Sequence, residues 1–68
     1  MTLFGIENEK YNLISVVYHL LQGAETTGKY IKDAKKIDDE VLLKYFKDVQ
    51  DQYVMLADRG RILLKEKI

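Results

Sequence analysis

The sequence predicts an all-α protein: two long antiparallel helices, at about 8–36 and 39–66, forming one helical hairpin that dimerises into a four-helix bundle. Three observations carry this reading. Apolar residues recur at spacings of three and four on both sides of a single break near residues 37–39. No proline occurs anywhere in the 68 residues to interrupt a helix. The apolar arc of each helix is wider than one neighbouring helix can cover.

In the first helix, Leu13, Ile14, Val17, Leu20, Leu21, Ala24, Gly28, Ile31 and Ala34 follow the helical period. At 100° per residue they span an arc of about 160°, broader than the narrow seam of a two-stranded coiled coil. Asn8 is placed to cap the helix start, and Glu9 faces the positive helix end. Met1–Gly5 reads as a loose or docked arm. The turn is Ile37-Asp38-Asp39-Glu40. With Asp38 as N-cap, Ile37 and Leu42 fall at the two positions of a hydrophobic staple. In the second helix Leu42, Val49, Leu56 and Leu63 repeat every seven residues, flanked by Phe46, Tyr53 and Gly60, and Lys65 and Lys67 complement the exposed carbonyls of the last turn.

Two helices of about 30 residues make a hairpin about 45 Å long. Two helices side by side shield only part of each arc, so the rest must meet another surface. Val41, Tyr45, Met55 and Ile62, with Gln52 among them, form a second stripe that would be wet in a monomer and is the expected dimer interface. A self-complementary homodimer is the commonest way for one chain to bury it, with a permanent hetero-partner as the alternative.

A chain of this length is one domain, 1–68, with little margin against roughly 100 kcal/mol of lost conformational entropy. With no cysteine there is neither a disulfide framework nor a thiolate metal site. Eleven basic and eleven acidic residues cancel, which gives no electrostatic footprint for nucleic acid. No stretch approaches the roughly 20 apolar residues that span a bilayer, and no signal peptide is evident, so the chain reads as cytoplasmic with no membrane partner.

No complete catalytic motif is present, and most single polar residues have an ordinary structural role. His19 falls opposite the apolar arc, beside Ser15 and Tyr30, with no carboxylate three or four residues away; it reads as a surface residue. Glu25 falls on the flank of the arc, where a carboxylate would be partly desolvated. Pairing positions whose numbers sum to about 75 places it opposite Gln50, near Tyr53 and Asp51. It could form a hydrogen bond or ion pair at the bundle margin, or half of a carboxylate metal site completed by a second subunit. The aromatics read as core and interface, with only Tyr30 facing outward. Lys29, Lys32, Lys35 and Lys36 read as a solvated helix end among acidic neighbours. Gly23, Gly28 and Gly60 are costly inside helices and imply close packing or a void for a small apolar ligand.

Tyr30-Ile31-Lys32-Asp33-Ala34-Lys35-Lys36, a short turn, and Leu43-Lys44-Tyr45-Phe46 resemble the first helix hairpin of rubrerythrin-like members of the ferritin-like superfamily. The resemblance covers about fifty residues and implies a four-helix bundle. In that family a glutamate on the first helix and a Glu-x-x-His pair on the second hold two iron ions. Here those positions fall on Leu20, and on Tyr53 and Leu56, so the resemblance implies the scaffold and its dimerisation without the metal chemistry. Single-hairpin domains of this kind also occur appended to larger bacterial proteins. The expected function is therefore a non-enzymatic bundle acting by protein–protein contact, with no cofactor. The alternative is a divergent iron or manganese carboxylate protein using Glu25 with Tyr53, Asp51 or His19 from both subunits.

Overall fold

The computed structural model describes residues 2–3 and 6–67, with side chains from Asn8 to Lys67. In chain order they form β1 (Thr2–Leu3), β2 (Ile6–Glu7), α1 (Asn8–Lys36) and α2 (Glu40–Lys67). The helices pack side by side in a body of 49 × 19 × 12 Å, close to the length expected from the helical rise. Part of the expected N-terminal arm, Met1 and Phe4–Gly5, lies outside the described residues. Of the rest, β1 pairs antiparallel with β2, Thr2 opposite Glu7 and Leu3 opposite Ile6, and both strands lie beside α1. Asn8 is itself the first helical residue rather than the residue before it, with Glu9 in the first turn as expected.

The turn differs from the sequence reading by one residue. Asp38 is not the N-cap; it holds a left-handed backbone, φ 54°, at the end of α1. The Asp39 N–H donates to the Ala34 carbonyl at 3.1 Å and the Asp38 N–H to that of Lys35 at 3.2 Å, the paired bonds of a Schellman ending. Asp39 caps α2: its Oδ1 accepts from the Leu42 N–H at 3.0 Å, and its carbonyl accepts the first helical bond from Leu43 at 2.9 Å. The staple is displaced with the cap, and Ile37 is left exposed.

The antiparallel register agrees with the expected one. The Tyr30 and Phe46 rings are 5.8 Å apart, Tyr53 lies over Gly23 and Val17 over Gly60, pairs whose numbers add to 76 or 77. The seam itself corrects the reading of α2. On α1 it runs Leu13, Val17, Leu20, Ala24, Thr27, Ile31 and Ala34; on α2 it runs Leu43, Phe46, Gln50, Tyr53, Ala57, Gly60 and Leu64, all buried or half-buried at alternating spacings of three and four. The Leu42-Val49-Leu56-Leu63 stripe lies beside this seam and not in it. The reason is size: the small residues Ala57 and Gly60 let this part of α2 approach α1 closely, Gly60 directly against Val17, where Leu56 or Leu63 would hold the helices apart. A polar tie reinforces the register, the Gln50 amide donating to the Ala24 carbonyl at 3.0 Å. Thr27, buried on the seam, satisfies its hydroxyl by donating to the Gly23 carbonyl at 2.7 Å. Among the described residues no large side chain is fully buried.

Candidate interaction surface

With the two seams fixed, the helical period assigns the remaining residues to the two broad sides of the hairpin. One side carries Leu42, Val49, Leu56 and Leu63 on α2, continued around the helix by Tyr45 and Gln52 and then by Val41, Met55 and Ile62. Leu42 and Val49 are half-buried, whereas Leu56 and Leu63 are 41% and 47% exposed. Val41, Tyr45, Met55 and Ile62 are exposed, Val41 to 83%. The unpartnered surface is thus wider than the sequence suggested: it includes the stripe first assigned to the hairpin seam as well as the one assigned to the interface.

In the middle of this side Leu20, Val49, Gln52, Tyr53 and Leu56 line an apolar recess of about 190 Å³. The positions at which the ferritin-like resemblance places metal ligands, Leu20, Tyr53 and Leu56, meet here, and their side chains include no carboxylate or imidazole. Sequence reasoning placed these residues in a closed core and missed the recess. The signal was available, since Val49, Gln52, Tyr53 and Leu56 stand at i, i+3, i+4 and i+7 on one helix.

The other broad side carries Tyr11, Ile14, Tyr18, Leu21 and Val54, all exposed, interspersed with Glu25, Lys32 and Lys47. Glu25 is exposed here and not partly desolvated as expected; Gln50 reaches the backbone of its neighbour Ala24 instead. His19 is exposed, as its helical position required. Its Nδ1 lies 2.8 Å from the Ser15 carbonyl, so Nδ1–H donates to that oxygen, with the Tyr18 ring edge-on at 5.5 Å. Among the described residues no three His, Cys, Asp or Glu side chains lie close enough to hold a metal ion.

Tyr30 is exposed but leans on Phe46, which the outward reading did not foresee. Lys29, Lys32, Lys35 and Lys36 are exposed. The glycines mark close approaches: a Cβ at Gly60 would come within 2.5 Å of Val17, one at Gly23 within 2.6 Å of Tyr53, and one at Gly28 within 3.2 Å of Gln50. No described helix is long and apolar enough to cross a membrane. Comparison of the chain with protein-family models, with curated proteins and with solved structures finds no match.

Proposed function

We propose that this chain is a structural interaction module: a non-enzymatic helical hairpin that pairs with a second copy of itself to complete a four-helix bundle, a ferritin-like scaffold without its metal chemistry. The observation that carries the reading is the uncovered apolar side built on Leu42, Val49, Leu56 and Leu63.

Area supports it. The chain exposes 5532 Å², whereas a compact monomer of 8.0 kDa exposes about 4,500 Å². The excess of about 1,000 Å² is of the size that each partner buries in a standard specific interface, about 800 Å². Stability points the same way, because the fully covered seam positions are mostly small, Val17, Ala24, Thr27, Ala34, Ala57 and Gly60, while the seam leucines, Phe46 and Tyr53 are only half-buried, which leaves little apolar area to offset the entropy of ordering 68 residues. A second copy supplies the missing core. The meeting of Leu20, Tyr53 and Leu56 in one recess supports the ferritin-like reading, since positions that hold metal in such bundles must face a common point.

Sedimentation equilibrium at low micromolar concentration tests the proposal. The wild-type chain sediments as a dimer, and Leu56→Glu, which puts a charge at the centre of the uncovered side, shifts it toward monomer. A fully helical, stably folded wild-type monomer overturns the reading.

A further inference from the structure

Val49, Gln52, Tyr53 and Leu56 are more than a dent in a surface: residues at i, i+3, i+4 and i+7 are the four corners of the hole into which a facing helix inserts one side chain. Between the stripe residues fall Tyr45, Gln52, Arg59 and Glu66, so that this side of α2 carries a second heptad seam parallel to the one used inside the hairpin. A hole of this kind is filled by a helix carrying large apolar side chains at the same spacing, and the stripe of a second copy provides one.

We infer that α2 packs antiparallel on α2 of the second copy, with the two-fold axis passing near residue 54 and Leu56 of each copy seated in the recess of the other. The arrangement rests on the self-association proposed above and specifies its geometry. Three observations select it. In a parallel pair Arg59 would stack on Arg59 and Glu66 on Glu66, like charge on like; in the antiparallel pair Arg59 meets Val49 of the second copy, with its Asp48 alongside. An axis near residue 54 lies at the middle of Glu40–Lys67, so every stripe residue from Leu42 to Leu63 falls opposite helix. Sliding the pair by one heptad would leave Leu63 facing the turn at Asp38. Finally, Leu56 is 41% exposed and free to project, whereas Val49 is half-buried against its own hairpin.

The absence of cysteine makes the test direct, because single spin labels can be placed at Val41→Cys and Met55→Cys, both exposed. In the antiparallel pair the two copies of position 41 are 26 residues apart along the axis, a separation of about 40 Å, and the two copies of position 55 lie within about 20 Å across the axis. Each labelled chain is first shown to be a dimer by sedimentation, and the label-to-label distance is then measured by pulsed electron resonance. A long distance at 41 together with a short one at 55 supports the arrangement. A dimer with any other pattern, above all a short distance at 41, overturns the arrangement and leaves self-association standing. A wild-type monomer overturns both.

Discussion

Gly60 of α2 lies directly under the Val17 side chain of α1, so close that a Cβ added to the glycine would come within 2.5 Å of Val17 Cγ2. Val17 is buried and β-branched, with one strongly preferred rotamer, and cannot swing aside. The contact explains a glycine in the interior of a helix, where it costs about 1 kcal/mol relative to alanine.

Gly60→Ala therefore destabilises the protein by about 1–2 kcal/mol, the overpacking cost exceeding the gain in helix propensity. Gly28→Ala is milder and changes stability by no more than about 0.5 kcal/mol, since its Cβ meets only the amide end of Gln50, at 3.2 Å, and the gain in helix propensity offsets the shift of that amide on the Ala24 carbonyl. Urea unfolding of the two variants side by side checks the difference in size.

The turn yields a second pair. Asp38→Gly relieves a left-handed backbone carried by a residue with a Cβ and raises stability by about 0.5–1 kcal/mol. Asp39→Ala removes the acceptor of the Leu42 N–H and lowers it by about 1 kcal/mol. If the cap were Asp38, Asp38→Gly would lower stability slightly and Asp39→Ala would leave it nearly unchanged. Thermal unfolding at fixed protein concentration reads both.

Gln50→Met keeps the length of the side chain and removes its bond to the Ala24 carbonyl. The expected loss is about 1 kcal/mol, small because the carbonyl still accepts its own helical bond. Circular dichroism retains full helix content while the unfolding midpoint falls.

Because folding is coupled to association in the proposed dimer, the unfolding midpoint rises with protein concentration. Leu63→Glu abolishes that dependence, whereas Glu25→Gln, on the opposite broad side, leaves it in place and changes stability by no more than about 0.5 kcal/mol. Scanning each protein over a hundredfold range of concentration separates the two behaviours.

The helices, their register and the length of the hairpin were legible in the sequence because each rests on local pattern: period, absence of proline and a single break. The cap was misplaced by one residue because Asp38 and Asp39 are chemically identical. What distinguishes them is which N–H reaches the Ala34 carbonyl, a contact that exists only after α1 has ended. The seam of α2 was misassigned for a different reason. Hydropathy ranks Leu42, Val49, Leu56 and Leu63 first, but two helices in close approach select by size, and that choice favours Ala57 and Gly60. The same choice leaves the leucines outside, where they become the candidate site. Glu25 was misplaced with them, since its desolvation followed from an arc drawn too wide.

The short connection between Lys36 and Glu40 also orders the assembly of the hairpin in time. Tyr30 and Phe46 meet across 16 residues of chain, whereas Val17 and Gly60 meet across 43. Closing the longer loop from an unfolded chain costs about 0.9 kcal/mol more, so contacts form first beside the turn and propagate outward, each shortening the loop that the next must close. Substitutions at Asp38 and Asp39 should accordingly change the rate of folding, and those at Gly60 the rate of unfolding, making the chain a zipper with its slider at the turn.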